Sequence, residues 1–184
     1  NSRRLLEESL RDGVLAARPE AFEPLCVVID KLDKIGPSAV TDLLCEKKSE
    51  EGGSIGLSAG EAASVLEMLS ARSLDDAQKF AVSGGEALTE LRRLYDLLDA
   101  YGIADQIPFD TSVVRGLAYY TGVVFEALDT GGTLRAISGG GGHDRPAQTL
   151  GGKSGCAVGA DSNTHLTLTT RCRVETSFCS PSSP

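Results

Sequence analysis

Residues 112–144 read SVVRGLAYYTGVVFEALDTGGTLRAISGGGGHD, and this stretch decides the fold class of the chain. Its segments YYTGVVFEALD and TLRAISGG are rich in β-branched and aromatic residues, and the DTGG that links them is a turn signal typical of a β-hairpin. The preceding PFDTSVVRG has a similar composition and predicts a third strand. Because the first hundred residues have helical spacing instead, we expect an α+β fold with a small antiparallel sheet of about three strands.

Several signals place helices before this sheet. Apolar residues at helical spacing predict one helix over residues 1–17, stopped by Pro19. Gly36 ends the next helix, and Pro37 begins another. The apolar face of the first helix is formed by Leu5, Leu6, Leu10 and Val14.

Two S-x-x-E patterns predict capping boxes at further helix starts. The first pairs Ser58 with Glu61, and the second pairs Ser83 with Glu86. Gly102 lies where a left-handed residue ends the last helix. Each helix is therefore expected to be short and locally capped.

Composition excludes several classes of protein. The net charge of -8 and the pI of about 4.8 argue against a protein whose main role is to bind nucleic-acid phosphates. No apolar run approaches the roughly 20 residues of a membrane span, and the first residues lack the apolar core of a signal peptide, so we expect a soluble, intracellular chain with no membrane partner. The 5 cysteines form no CxxC pair, which argues against a structural metal site and predicts that Cys26 and Cys45 are buried free thiols.

The residues of the quoted stretch also predict a small-molecule site. The guanidinium of Arg115 suits a carboxylate or a phosphate. Tyr119 and Tyr120 point to opposite faces of a regular strand, so they serve one surface only if the backbone bends near Gly116 or Gly122. The glycine run allows backbone to approach a ligand closely. Its central members are Gly139, Gly140 and Gly141.

The motif VVRGLAYYTGVVFE resembles the RGLDYYTG motif of histidyl-tRNA synthetases, and LRAISGGGGHD is similar to the segment that ends in GGGRYD in that family. Upstream, CVVIDKLDKIG resembles the family's aspartate-lysine helix, and NSRRLL resembles the segment after its second class motif. The resemblance covers most of residues 1–159. It implies a class II synthetase sheet with an inserted helical region, in which ATP and L-histidine form an adenylate before histidine is transferred to tRNA(His).

The resemblance also implies roles for individual residues. Arg115 matches the catalytic arginine that binds the substrate carboxylate and the α-phosphate. Tyr119 and Tyr120 match the pair that lines the histidine pocket. Gly139, Gly140 and Gly141 match the glycine strand at the pocket floor. ATP with Mg²⁺ is implied as a substrate, no bound metal or prosthetic group is expected, and the full enzyme is expected to be a homodimer.

Some positions depart from the family pattern. Ala118 replaces the usual aspartate, as in organelle-type plant and algal enzymes, whereas Gly142 and His143 replace the arginine and tyrosine of GGGRYD, and Pro146 lies where a helix should continue. The family's ATP-binding class motifs would precede and follow this chain, so we expect a central fragment, inactive or nearly so alone, in the cytoplasm or an organelle.

The expected organisation has four parts: helical catalytic core at 1–36, inserted helices at 37–102, strands of the core at 103–159, and a disordered tail at 160–184. Two other hypotheses remain open. One is a non-catalytic, synthetase-like protein that binds histidine or has a regulatory role. The other is a helical domain with a hairpin and no ligand, which leaves the motif spacing unexplained.

Overall fold

The computed structural model describes residues 1–46, 55–82, 85–129, 136–143, 155 and 157–162. Helices come first along the chain, and a three-stranded antiparallel sheet follows. The helices are α1 (Arg3–Arg11), α2 (Phe22–Ile29), α3 (Leu32–Cys45), α4 (Ala59–Leu69), α5 (Leu74–Ala77) and α6 (Glu86–Ala100). The strands are β1 (Val124–Ala127), β2 (Ser138–Gly142) and β3 (Val158–Ser162), in the order β1-β2-β3.

Helix α1 is shorter than its apolar pattern predicts. It begins after Ser2, whose side chain accepts a hydrogen bond from the Leu5 amide, and it ends at Arg11 instead of continuing to Ala17. Asp12 and Gly13 follow, and both are poor helix formers, so the chain turns there. The four apolar residues predicted to share a face are nonetheless all buried.

The main core lies between the first four helices. Leu25, Val40 and Val65 have no exposed surface, although they belong to three different helices. The same cluster therefore crosses the predicted boundary between residues 36 and 37. A second, smaller cluster packs α6 against α1 and the chain before the sheet; its buried members are Leu5, Ala77, Ala87, Leu91 and Phe109.

Three of the predicted helix signals are confirmed. Gly36 has φ 81° and ψ 166°, which breaks α3 just before Pro37. Ser58 and Glu61 form the predicted capping box at α4, with the Ser58 side chain accepting from the Glu61 amide and the Glu61 side chain accepting from the Ser58 amide. Gly102 has φ 70° after α6, as predicted.

The second predicted capping box is wrong. Helix α6 begins at Glu86, so Glu86 is the first residue of the helix and not the third, and Gly85 is the cap residue. Ser83 lies outside the described residues. The amide of Ala87 instead donates to Oε2 of Glu8, at 3.4 Å, so an acceptor from α1 replaces a local one.

The sheet confirms the hairpin and corrects the identity of the third strand. Strands β1 and β2 pair antiparallel, with Phe125 opposite Gly140. The segment predicted as the first strand is irregular. Asp110 accepts hydrogen bonds from the amide and hydroxyl of Ser112, and the Thr111 hydroxyl donates to backbone carbonyls in the last turn of α4 and just after it. The third strand is β3, which pairs with β2 and crosses the predicted start of the tail at residue 160. The rest of that tail, like most of the DTGG turn, lies outside the described residues.

Candidate functional site

One face of the sheet carries the predicted site. Side chains alternate between the faces of a strand, and residues opposite each other in neighbouring strands share a face. Glu126 lies opposite Gly139, which lies opposite Asp161. Val124 and Gly141 are opposite each other two residues further along these strands, so they lie on the same face. We call the surface formed by Val124, Glu126, Gly139, Gly141 and Asp161 the glycine face.

Arg115 lies on this face directly against Gly139. A Cβ atom added to Gly139 would lie 2.6 Å from Nη1 of Arg115 and 2.8 Å from its Cζ, so only glycine leaves room for the guanidinium. Nη1 also donates to Oε1 of Glu126 at 2.7 Å. The side chains of Arg115 and Glu126 are 22% and 21% exposed, so their ion pair is largely shielded from water.

The surroundings of Arg115 favour its charged form. Burial alone lowers the pKa of the guanidinium, but hydrogen bonding to Glu126, the charge of Glu126 and the nearby Tyr120 outweigh burial and raise the pKa. Its Nε atom is buried and has no hydrogen-bond partner among the described residues. The site therefore holds a permanent cation with unused donor capacity, which suits an anionic group.

The backbone of Arg115 is in a conformation that side chains disfavour. Its φ is 58°, and no other non-glycine residue in the described ranges has positive φ. Such a conformation costs on the order of 1–3 kcal/mol and persists only where surrounding contacts hold it. Here Nη1 of Arg3 donates to the Arg115 carbonyl at 2.9 Å, and the next amide, that of Gly116, donates to Oδ1 of Asp30 at 3.2 Å.

The two tyrosines meet because the chain bends before β1. The amide of Tyr120 donates to the Leu117 carbonyl at 3.3 Å, which closes a tight turn. The rings of Tyr119 and Tyr120 are then 4.4 Å apart at their centroids, and their hydroxyls are 3.4 Å apart. The bend that the glycines were predicted to allow is present, and both phenols serve one surface.

The tyrosines differ in exposure. Tyr120 is buried, and a Cβ added to Gly141 would lie 2.8 Å from its Cδ1, so its ring packs where only glycine fits. Tyr119 is 47% exposed and available to a ligand. Hydrogen bonding to Tyr120, followed by burial, raises the pKa of Tyr119. The Tyr119 phenol therefore keeps its proton at neutral pH and can donate a hydrogen bond.

The predicted site residues are brought together with one exception. Arg115, Tyr119, Tyr120, Gly139 and Gly141 converge on the glycine face. Gly140 opens to the opposite face, where an added Cβ would lie 2.8 Å from Cζ of Phe125 and 2.9 Å from Cα of Ala160. Gly140 thus allows close strand packing and provides no floor under Arg115 or Tyr120.

Several residues near the site were not predicted from the sequence. Glu126 and Asp161 lie on the glycine face, and the ring of His143 meets that of Tyr119 edge-on at 5.9 Å. The sequence did contain a signal that Arg3 is buried. Arg3 lies three residues before Leu6 and therefore on the apolar face of α1, and it is 1% exposed. Glu126 is two residues after Val124, so strand alternation places it on the same face.

A cavity of about 450 Å³ opens beside Arg115. Its polar lining combines Arg115 and Glu126 with Asp30, Asp33 and Lys34 from the junction of α2 and α3. Because charges of both signs line it, the cavity suits a zwitterionic ligand of small size. In the described ranges, no group of three or more histidines, cysteines and acidic residues is arranged to hold a metal ion. Within the same ranges, no helix has the length and hydropathy needed to cross a membrane.

Comparisons with known proteins address the class of this fold. A solved histidyl-tRNA synthetase from Nostoc sp. PCC 7120 superposes with a TM-score of 0.71 at 24% identity, covering 87% of this chain and 38% of that one. A solved structure from Bacillus halodurans, described as an ATP phosphoribosyltransferase regulatory subunit/histidyl-tRNA synthetase, gives a TM-score of 0.66 at 22% identity, with 87% and 40% covered. The fold is therefore that of class II aminoacyl-tRNA synthetases.

Sequence comparison identifies the family. The family model for histidyl-tRNA synthetase matches residues 30–162, which is more than half of the chain. A histidine--tRNA ligase of Arabidopsis thaliana, named chloroplastic/mitochondrial, is 40% identical over 159 residues, covering 86% of this chain. The chain belongs to the histidyl-tRNA synthetase family. It spans 31% of the length of that Arabidopsis relative.

Proposed function

We propose that these residues form part of the amino-acid site of a histidine--tRNA ligase, which activates L-histidine with ATP and transfers it to tRNA(His). The observation that carries this proposal is the placement of Arg115 against Gly139 and of Tyr120 against Gly141, on one face of a class II sheet. Membership of the family and the 40% identity to a named ligase support the same reaction.

Arg115 would bind the carboxylate of L-histidine and stabilise charge as the adenylate forms. In that step a carboxylate oxygen attacks the α-phosphate of ATP and pyrophosphate leaves. The carboxylate and the α-phosphate are both negatively charged and approach each other in the transition state. A cation that is already positioned beside them lowers the barrier. The ion pair with Glu126 supports this role because it holds the guanidinium against the glycine face.

Tyr119 and Tyr120 would select histidine over apolar amino acids. A phenol that hydrogen-bonds the imidazole loses its partner when phenylalanine or leucine enters, and a buried hydroxyl left unpaired is costly. Contact between the two hydroxyls supports this role because Tyr120 can orient the exposed Tyr119. Gly139 would leave the space that the Arg115 side chain needs, Gly141 would leave the space for the Tyr120 ring, and Gly140 would contribute through close packing of β2 against β3.

The other substrates and partners are proposed from the family. ATP with Mg²⁺ would bind next to Arg115, whose guanidinium suits the α-phosphate, and Mg²⁺ would neutralise phosphate charge. The full enzyme would be a homodimer that acts on tRNA(His), in the cytoplasm or in an organelle; the name of the Arabidopsis relative with 40% identity supports an organelle. The division into core at 1–36 and 103–159 and inserted helices at 37–102 remains a proposal.

Calorimetric titration of L-histidine into the 184-residue chain tests the site. We expect L-histidine to bind. Histidinol, which lacks the carboxylate, should bind more weakly, and phenylalanine should not bind. The Tyr120→Phe variant should bind histidine more weakly than the wild type. Near-ultraviolet circular dichroism establishes that each variant is folded. A folded chain that binds histidine and phenylalanine equally would contradict the proposed selectivity.

A chimera tests the reaction itself. The aligned segment of the Arabidopsis relative is replaced by this chain, and histidine-dependent exchange between ATP and pyrophosphate is measured. We expect exchange in the chimera, and we expect Arg115→Ala to lower its kcat far more than it raises KM for histidine. A raised KM with an unchanged kcat would mean that Arg115 acts only in ground-state binding.

A regulatory, synthetase-like histidine binder is the alternative. The Bacillus halodurans structure carries both descriptions, but at 22% identity it shows the fold alone. The relative with 40% identity carries the ligase name only, so the ligase is better supported.

A further inference from the structure

The segment that runs from Arg115 to Gly122 is tied to α1 by one residue. The side chain of Arg3 donates to the carbonyls of Arg115 and Leu117, at 2.9 and 3.2 Å, and the backbone amide of Arg3 donates to the Gly122 carbonyl at 3.0 Å. Arg3 therefore bonds to both ends of the turn that carries the two tyrosines.

Arg3 is buried, and its guanidinium is paired inside the core. It is 1% exposed, its Nη2 pairs with Oε2 of Glu23 at 2.6 Å, and its guanidinium lies 5.3 Å from the centre of the Phe22 ring. Burying a charge is costly unless the charge is paired and hydrogen-bonded. A lysine in its place has a single nitrogen and cannot reach Glu23 and two carbonyls in this planar arrangement.

Asp30 holds the other side of the same peptide. Its Oδ1 accepts from the Gly116 amide at 3.2 Å, while its Oδ2 pairs with Lys34 at 3.2 Å. The Arg115–Gly116 peptide is thus fixed at its carbonyl by α1 and at its amide by the α2–α3 junction. This is the peptide that follows the left-handed φ of Arg115.

We propose that Arg3 and Asp30 are positioning residues that hold Arg115 in its left-handed backbone conformation and so set its guanidinium over Gly139. Without either residue, Arg115 relaxes to an ordinary φ, and its side chain leaves the glycine face. The consequence for histidine affinity rests on the proposed function, but the backbone effect does not.

The test compares Arg3→Lys, Asp30→Ala and Asp30→Asn in the full chain. Nuclear magnetic resonance reports the Arg115 backbone through its Cα and Cβ shifts and its amide-to-Hα coupling, and calorimetry reports histidine affinity. We expect Arg3→Lys and Asp30→Ala to shift the Arg115 signals out of the left-handed range and to weaken histidine binding about ten-fold, because misplacing a reacting group is costly. Asp30→Asn keeps an acceptor for the Gly116 amide and is expected to retain the left-handed Arg115 signals.

Val65→Ala is the matched control for a general loss of stability. Val65 is fully buried in α4, away from the site, so this variant is destabilised but should keep the Arg115 signals and the histidine affinity. If Arg3→Lys does not fold, Asp30→Ala decides alone. Unchanged Arg115 signals in folded Asp30→Ala would overturn the proposal, whereas a wild-type chain that shows the signals without binding histidine would overturn the proposed function only.

Discussion

Substituting alanine for single glycines of β2 separates the site from the sheet. In Gly139→Ala the new Cβ would lie 2.6 Å from Nη1 of Arg115, whereas in Gly140→Ala it would overlap the Gly159 carbonyl oxygen and lie 2.9 Å from Cα of Ala160. The first obstacle is the end of a flexible side chain, and the second is the backbone of the neighbouring strand.

The two costs therefore differ in kind. Moving the Arg115 guanidinium by about 1 Å costs little stability, roughly 1 kcal/mol or less, since a strand alanine recovers part of the entropy cost of glycine. It displaces the group that would bind the substrate carboxylate, so we expect histidine affinity to fall about ten-fold or more. Separating β2 from β3 in Gly140→Ala breaks strand pairing, and overpacking of this severity costs about 3 kcal/mol or more.

Urea unfolding and calorimetric titration of both variants measure these effects. Gly139→Ala should unfold near the wild-type midpoint and bind histidine weakly. Gly140→Ala should unfold at a clearly lower urea concentration. Unchanged affinity in Gly139→Ala would refute the placement of Arg115, and an unchanged midpoint in Gly140→Ala would refute the β2–β3 register.

Three predictions concern the helical part. Burial raises the pKa of the Cys26 thiol to about 12, so Cys26 should react with a thiol reagent at mildly alkaline pH far more slowly than Cys45, as peptide mapping can show. Hydrogen bonds from Ser58 lower the pKa of Glu61 in the folded chain. The ionised carboxylate therefore stabilises the fold at pH values above its unfolded pKa, and this stabilisation is lost as the pH falls through the folded pKa. Glu61→Gln should thus lower the urea midpoint of unfolding at neutral pH, and the difference from the wild type should vanish at low pH. Leu25→Ala should cost about 2–5 kcal/mol in urea unfolding, because Leu25 is fully buried; a cost below about 1 kcal/mol would contradict the packing of α2.

Local signals in the sequence predicted the local features of the fold. The break at Gly36, the capping box at Ser58 and the left-handed Gly102 each depend on a few adjacent residues, and all three are present. The hairpin of β1 and β2 was likewise predicted by two β-rich segments joined by a turn signal.

Features set by distant contacts were not predicted. Near the start of α6, the Ala87 amide donates a hydrogen bond to Glu8, which is 79 residues away in sequence. No pattern of adjacent residues predicts this contact. The segment before Arg115 has strand composition, but the side chains of Asp110 and Thr111 bond within turns and to the α4–α5 region. Strand β3 contains small and polar residues, and its pairing with the glycine strand comes from the sheet and not from its own propensity.

The candidate site shows the same division. Arg115 and the two tyrosines could be named from the motif alone. The contacts that orient Arg115 come from Arg3 and Asp30, which are 112 and 86 residues away from their partners in sequence. Their role follows from where α1 and the α2–α3 junction lie against the sheet.

The central claim is that histidine binds on the glycine face against Arg115. Titration of the ¹⁵N-labelled chain with L-histidine, followed by nuclear magnetic resonance, tests it most directly. We predict that the amides of Gly139 and Gly141 and the side-chain signals of Arg115 shift progressively with histidine and not with phenylalanine. Histidine-dependent shifts that leave these three residues unmoved would contradict the claim.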